Sequence, residues 1–464
     1  MTLIKSISGI RGTIGGKVGD GINPLDLVKF TASFATFIKN KSSKEKIKIV
    51  IGRDARISGK MVGKVVSATL NGMGADVIDL GLSTTPTVEI AVTDLNANGG
   101  IIITASHNPK QWNALKLLNN KGEFLSADEG NKILSVAEKE DFVFSEIDEL
   151  GTYTKDNSYI EKHIKNILAL PLVDVDAIKK AKFRVVIDGV NSTGGISIPP
   201  LLKALGVEKV DELFCEPSGI FPHNPEPLPE NIGDISKMIV RNNANLGFVV
   251  DPDVDRLAIV CENGVAFGEE YTLVAVADYI LQNTKGNTVS NLSSTNALRD
   301  VTEKAGQKYF ASAIGEVNVV EKMKEVDAVI GGEGNGGIIY PEFHYGRDAL
   351  VGIALFLTYL AKSGKSCSAL RNEYPNYFIS KNKIELTPEI DVDKILNNIA
   401  EKYKNHPVIT IDGVKIEFDK SWVHLRKSNT EAIIRIYAES DSQITADNLA
   451  NKIIGDIKAV GNKQ

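Results

Sequence analysis

Gly247-Phe248-Val249-Val250 runs directly into Asp251-Pro252-Asp253-Val254-Asp255-Arg256, and a second apolar run, Leu257-Ala258-Ile259-Val260, follows. A short, strongly apolar run that breaks into a polar loop reads as a buried strand ending at the rim of a sheet. The same grammar recurs along the chain. Lys48-Ile49-Val50-Ile51 leads into Gly52-Arg53-Asp54, Ile101-Ile102-Ile103 into Thr104-Ala105-Ser106, Val185-Val186-Ile187 into Asp188-Gly189, and Asp327-Ala328-Val329-Ile330 into Gly331. Helical patterns lie between these runs, at Pro24 to Lys39, Lys60 to Met73 (stopped by Gly74) and Ala297 to Ala305 (stopped by Gly306). Strand, polar loop, helix, repeated, specifies an α/β protein with mostly parallel, mixed sheets. In such folds ligands bind at the loops leaving the carboxyl ends of strands.

From about residue 375 the pattern changes to alternating strands at Asn382 to Leu386, Val408 to Ile411, Val414 to Phe418 and Ile433 to Tyr437, with one late helix near Leu449 to Val460. A smaller α+β domain therefore closes the chain. The expected division is 1–155, 156–256, 257–372 and 373–464, with no low-complexity linker and no readable internal repeat. At roughly 150 residues per domain, 464 residues accommodate this organisation.

Composition bounds the function. With 43% hydrophobic and 24% charged residues, the chain is ordinary globular material. Its formal charge of -6 includes no long block of like charges, which argues against nucleic acid as a partner. Cys215, Cys261 and Cys367 are odd in number and in no metal-ligand spacing, as expected of a reducing cytoplasm. The start, Met1-Thr2-Leu3-Ile4-Lys5, lacks the apolar core of a signal peptide. Ala349 to Ala361 is the greasiest stretch, but it falls short of the roughly 18 residues that span a bilayer and reads as a buried helix.

Thr104-Ala105-Ser106-His107-Asn108-Pro109 sets a hydroxyl beside an imidazole in a loop that Pro109 stiffens. It reads either as a turn and helix start or as the seat of a covalent serine carrier, with His107 or Lys116 as the activating base. Asn113 and Lys116 form a second polar pair that stays near the loop if a short helix follows.

Alternate carboxylates at Asp251, Asp253 and Asp255 converge on one point after a strand and suit a hard divalent cation, Mg²⁺ or Ca²⁺. An EF-hand, which Glu262 at the twelfth position mimics, fails on Arg256 at the sixth position and on the strands at either side. Three carboxylates leave a bound Mg²⁺ with a net charge of -1 and open positions for water or a phosphate oxygen, and Arg256 eases the approach of a dianion.

Glu333-Gly334-Asn335-Gly336-Gly337 offers a carboxylate and an amide on a slim backbone, for sugar hydroxyls or simply for a tight turn. Arg426-Lys427-Ser428-Asn429-Thr430-Glu431, with Arg435 a short strand later, reads as a phosphate cradle or a polar hairpin tip. Ser8-Gly9-Ile10-Arg11-Gly12 presents Arg11 between glycines, into a cleft or in a turn.

This ordered set of motifs, Gly9 to Gly12, Thr104 to Pro109, Asn113 with Lys116, Asp251 to Arg256, Glu333 to Gly337 and Arg426 to Glu431, covers essentially the whole chain and resembles the α-D-phosphohexomutases. That resemblance implies three α/β/α domains and a C-terminal α+β domain around a central cleft. It makes Ser106 the phosphoserine, which with Asp251, Asp253 and Asp255 would hold one Mg²⁺ per chain. Arg11, His107 and Lys116 would be its catalytic neighbours, Lys116 being the choice for proton transfer. Arg256, Glu333, Asn335, Arg426, Ser428, Asn429, Thr430 and Arg435 would bind substrate.

The implied activity interconverts hexose 1-phosphate and 6-phosphate through a hexose 1,6-bisphosphate, which is both intermediate and activator. Glucosamine phosphate is the first choice of sugar, with mannose or glucose phosphate next. More distant readings are a metal-dependent sugar phosphatase and a non-enzymatic sugar-phosphate sensor. The expected partner is a small sugar phosphate, bound by a cytoplasmic monomer or homodimer with no membrane attachment. Relatives usually carry Gly at Pro252 and Val254, Ser-Gly-His at Asn335-Gly336-Gly337, and Pro, Gly and Pro at Lys427, Asn429 and Ala432. The departures in the aspartate loop spare the three carboxylates, and those in the other two loops bear on the choice of sugar.

Overall fold

The computed structural model describes residues 2–6, 9–42, 46–385, 391–427 and 433–461. The first sheet has seven strands: Ile4–Ser6 (β1), Gly9–Thr13 (β2), Lys48–Arg53 (β3), Asp76–Leu82 (β4), Gly99–Ile103 (β5), Trp112–Leu118 (β6) and Tyr153–Lys155 (β7), in the order β1-β2-β6-β5-β3-β4-β7. Its interior is parallel, and β6 turns back antiparallel on β5. In β3, Ile49 and Ile51 join a core with Phe34, Val66 and Leu70, while Val50 joins another with Val88 and Val92. Helices thus cover both faces, which is why the strand reads as a continuous apolar run.

Two four-stranded sheets repeat this plan. The second contains Arg184–Asp188 (β8), Lys209–Leu213 (β9), Leu246–Val250 (β10) and Leu257–Cys261 (β11), in the order β11-β10-β8-β9. The third contains Asn287–Asn291 (β12), Tyr309–Ser312 (β13), Ala328–Glu333 (β14) and Gly337–Ile339 (β15), in the order β15-β14-β12-β13. In all three sheets an inner parallel strand turns into an antiparallel neighbour, β5 to β6, β10 to β11 and β14 to β15. The serine, aspartate and Glu333 loops are these three turns. A repeat invisible in the letters is plain in the topology. The division expected near residue 256 falls inside the β10–β11 hairpin, because the ladder pairs Leu246 with Cys261 through to Val250 with Leu257.

The expected buried helix is Ala349–Ser363, and each residue from Ala349 to Leu360 is buried. It is apolar all round because it lies between domains. Leu355 and Phe356 share one core with Phe248 and Ile167 of the second unit and Ile280 of the third. Among the described residues no helix is long and apolar enough to cross a membrane.

The last sheet is antiparallel: Phe378–Glu385 (β16), Val408–Ile409 (β17), Val414–Glu417 (β18), Trp422–Lys427 (β19) and Ile433–Ser440 (β20), in the order β16-β20-β19-β18-β17. One face packs on two helices, Val392–Lys402 and Gln443–Gly461. Only the second was expected; Val392, Ile395, Leu396 and Ile399 form the buried stripe of the first. Polar groups of the sheet meet the third unit. Trp422 Nε1 and Asn296 N both donate to Glu439 Oε1, at 2.8 and 2.9 Å, and Ser293 Oγ lies 2.8 Å from His424 Nδ1.

Candidate active site

Ser106 follows β5 with φ +48, in the left-handed region that a serine rarely adopts. Its Oγ donates to Asp251 Oδ2 at 2.6 Å and lies 3.3 Å from His107 Nδ1. The serine loop of the first unit thereby touches the acidic loop of the second.

The three aspartates are fully buried, and ligand oxygens from each lie within 4.8 Å of one another. Val254, between them, holds φ +62, a strained value for a β-branched side chain, and donates N–H to Asp251 O. Protein donors hold both oxygens of Asp251 and one oxygen each of Asp253 and Asp255. Asp251 Oδ1 accepts from the backbone N–H groups of Asp255 and Arg256, both at 3.2 Å. Asp253 Oδ2 accepts from Lys116 Nζ at 2.7 Å and Thr85 Oγ1 at 2.5 Å. Asp255 Oδ2 accepts from Lys116 Nζ at 3.1 Å and Arg347 Nη2 at 2.7 Å. Asp253 Oδ1 and Asp255 Oδ1 are buried with no hydrogen-bond donor. Leaving two anionic oxygens unsatisfied is costly unless a cation meets them, so this hard oxygen set fits Mg²⁺. Burial and the neighbouring Asp255 and Asp253 raise Asp251 well above the usual carboxylate range. Burial also opposes ionisation of Asp255, but Arg347 and Lys116 outweigh it and hold its carboxyl low. Glu262 turns away and accepts from Ser368 N at 3.0 Å, so the EF-hand pattern has no structural counterpart.

Lys116 is not on a helix. Asn113 and Lys116 both lie on β6, three residues apart and therefore on opposite sides. Asn113 Nδ2 donates to Ser58 Oγ at 2.9 Å, while Lys116 points at the aspartates. Burial disfavours the Lys116 ammonium, but Asp253 and Asp255 outweigh it and raise the pKa. Burial, then Arg256, pushes His107 well below its ordinary value, leaving a neutral imidazole beside Ser106. Arg11 is half-buried, and desolvation followed by Arg256 lowers its pKa. Arg256 Nη1 pairs with Glu226 Oε1 at 3.0 Å.

Glu333 ends β14. Its Oε1 accepts from Asn291 Nδ2 at 3.0 Å and Gly315 N at 3.2 Å, and its Oε2 from Arg347 Nη1 at 3.0 Å. Asn335 Oδ1 accepts from Gly337 N at 3.1 Å within its own loop. The glycines there make room for protein atoms. A Cβ on Gly336, at φ +82, would stand 2.3 Å from Leu257 O, and one on Gly337 2.3 Å from Arg347 Cδ. The Glu333 loop is thereby pressed onto the end of the aspartate loop.

Arg426 and Arg435 are direct cross-strand partners on β19 and β20, a like-charge pairing that an anion would relieve. Arg426 Nη1 lies 3.8 Å from Asp412 Oδ2, which accepts from Ile314 N at 3.0 Å; the next N–H, Gly315, is a donor to Glu333. Ser428, Asn429 and Thr430 lie outside the described residues.

Three site residues escaped the sequence reading. Arg347 joins Asp255, Glu333 and Glu316 through one guanidinium, with Nε 3.0 Å from Glu316 Oε2. Thr85, at a helix start, holds Asp253. Arg56, three residues beyond β3, reaches into the serine loop. Arg56 sits in a polar stretch just after a strand, the same signal that marked the other loops; Arg347 and Thr85 are marked by no local pattern.

Models described as phosphoglucomutase/phosphomannomutase α/β/α domains I, II and III and C-terminal domain match residues 3–144, 158–264, 268–377 and 384–455. The chain is 37% identical over 441 residues to a phosphoglucomutase/phosphomannomutase of Thermococcus kodakarensis, covering 93% of this chain and 94% of the relative. It is 32% identical over 457 residues to a phosphoglucosamine/phosphogalactosamine mutase of Sulfurisphaera tokodaii, covering 96% and 97%. A crystal structure of a phosphoglucomutase/phosphomannomutase family protein from Burkholderia thailandensis shares the fold, with TM-score 0.84, 24% identity, and 99% and 98% of the two chains covered.

Proposed function

The chain belongs to the phosphoglucomutase/phosphomannomutase family, and from that premise we propose that Ser106 carries the phosphoryl group this isomerase moves between O1 and O6 of a hexose phosphate. The observation that carries this reading is the 2.6 Å contact of Ser106 Oγ with Asp251, at the mouth of a carboxylate set with two donorless oxygens.

Phosphorylated Ser106 gives its phosphoryl group to the free hydroxyl of the sugar phosphate, and a hexose 1,6-bisphosphate forms. The sugar reverses, its other phosphate returns to Ser106, and the isomeric monophosphate leaves. Asp251, Asp253, Asp255 and the serine oxygens would hold Mg²⁺, which supplies Lewis-acid stabilisation of charge on the transferring oxygens. His107 Nδ1, 3.3 Å from Ser106 Oγ, is within reach of the proton exchanged there. The Lys116 ammonium is bound between Asp253 and Asp255 and orients them. Glu333, fixed by three donors, accepts from sugar hydroxyls, with Asn335 beside it. Arg426 and Arg435, with Ser428, Asn429 and Thr430, grip the phosphate that is not reacting, while Arg11 and Arg256 offset the charge of the one that is.

Glucosamine phosphate is the proposed sugar, in keeping with the name of the Sulfurisphaera relative; the Thermococcus relative favours glucose or mannose phosphate as the second reading. The test compares kcat/KM for glucosamine, mannose and glucose phosphates with catalytic bisphosphate supplied. A preference for glucosamine of about tenfold, 1.4 kcal/mol, supports the first reading, and the reverse order replaces it with the second. Steady release of inorganic phosphate with no isomer formed would identify a phosphatase instead.

A further inference from the structure

We infer that Arg56 is the positioning residue of the nucleophile: its guanidinium fastens the serine loop in the conformation that turns Ser106 Oγ toward Asp251. The inference rests on the reading of Ser106 as phosphoryl carrier.

A non-glycine residue in the left-handed region persists only where its surroundings over-determine it. Both peptide groups flanking Ser106 are held. Its N–H donates to Thr104 Oγ1 at 2.9 Å, and its carbonyl accepts from Arg56 Nη2. The same nitrogen donates to Asn108 O at 2.5 Å, while Nη1 donates to Pro109 O at 2.8 Å and Trp112 O at 3.1 Å. Nε donates to Asp54 Oδ2 at 3.0 Å. A guanidinium has five N–H donors in a fixed plane, and here each has an acceptor, four of them carbonyls between Ser106 and Trp112. Turning these carbonyls toward one buried point is costly without such a donor set. Asp54 balances the charge and also accepts from Thr104 Oγ1 at 2.7 Å, which closes the circuit back to Ser106 N.

The second unit completes the clamp. The Phe221 ring centroid lies 5.0 Å from the guanidinium. Ala55 N, next to Arg56, donates to Ser192 Oγ at 3.2 Å, and that hydroxyl donates to Pro252 O, in the metal loop, at 2.6 Å. One turn therefore registers the serine loop against the metal loop. A lysine places its donors on a single atom and has no planar fork to span four carbonyls.

The experiment uses the full chain with Arg56→Lys. The rate of Ser106 phosphorylation by glucose 1,6-bisphosphate is followed by rapid quench and intact mass, together with kcat, KM and thermal melting. Misplacing the hydroxyl should lower the phosphorylation rate and kcat together by about 100-fold, with KM for the sugar phosphate unchanged within about threefold. A folded Arg56→Lys protein that phosphorylates Ser106 at the parent rate overturns the inference. If that variant does not melt cooperatively, Phe221→Leu removes the ring and leaves the hydrogen bonds. It should slow the same step about fivefold, and an unchanged rate overturns the inference equally. Ser106→Ala separates the two failures. Turnover surviving in it refutes the carrier reading, whereas a dead Ser106→Ala beside a fully active Arg56→Lys refutes only the positioning role.

Discussion

Ser106 and Asp251 are 145 residues apart in the chain, yet one hydroxyl–carboxylate hydrogen bond of 2.6 Å joins them. This contact makes two loops from separate sheets into one site. Ser106→Ala should reduce isomerisation by at least about 10³-fold, as loss of a covalent nucleophile does, and leave a cooperative melt. Assaying isomer formation with bisphosphate supplied checks this; appreciable turnover would contradict the covalent route.

The donorless oxygens of Asp253 and Asp255 should make the folded protein bind a divalent ion. Mg²⁺ at about 100 times its Kd should add about 2.7 kcal/mol to the unfolding free energy, seen as a rise in Tm. In Asp253→Asn the rise should shrink strongly. An equal rise in both proteins would place the ion elsewhere.

Arg347 pairs with Asp255, Glu316 and Glu333 in a buried setting. Arg347→Met should cost about 3–5 kcal/mol, because it strands buried carboxylates. Adding Glu316→Gln should restore part of that loss. Urea unfolding of the single and double variants measures both effects, and strictly additive losses would show that the two groups do not interact.

For Arg426, the expected effect is on binding. Arg426→Ala should raise KM for the sugar phosphate by about 10- to 100-fold, the scale of one charged hydrogen bond, with a smaller change in kcat. An unchanged KM would return this loop to a plain hairpin.

His344 lies 3.4 Å from Glu89, on a helix of the first unit, and 3.2 Å from Asp348, at the start of the interdomain helix. Burial opposes its charge, but Asp348 and Glu89 outweigh it and raise the pKa from 6.5 to about 9. The folded chain thus binds this proton more tightly than the unfolded chain. Its stabilisation is full below pH 6.5 and fades as pH climbs through about 9. The advantage of the parent over His344→Gln should shrink by up to about 3 kcal/mol across that window. Denaturant titrations from pH 6 to 9.5 would detect it, and a flat difference would contradict the assignment.

Much of this was legible in the letters. Runs such as Ile49-Val50-Ile51 and Phe248-Val249-Val250 are buried on both faces, so composition alone marks them as strands. Asp251, Asp253 and Asp255 alternate after a strand, and that local spacing suffices to bring them together. The helix at Val392–Lys402 lies among stronger strand patterns that mask its apolar stripe of Val392, Ile395, Leu396 and Ile399.

The letters therefore settle local matters: which segments are strands, where the polar loops fall, and which loops carry hydroxyl, carboxylate or guanidinium groups. Tertiary structure alone decided the partners. That Lys116 is fixed by two aspartates, that Arg347 is shared by Asp255 and Glu333, and that Arg56 holds the serine loop all depend on contacts between residues far apart in the chain. Such contacts follow from how three sheets bring their equivalent hairpins together around shared cores. Periodicity encodes which face of an element is buried, but not which distant side chain it meets there.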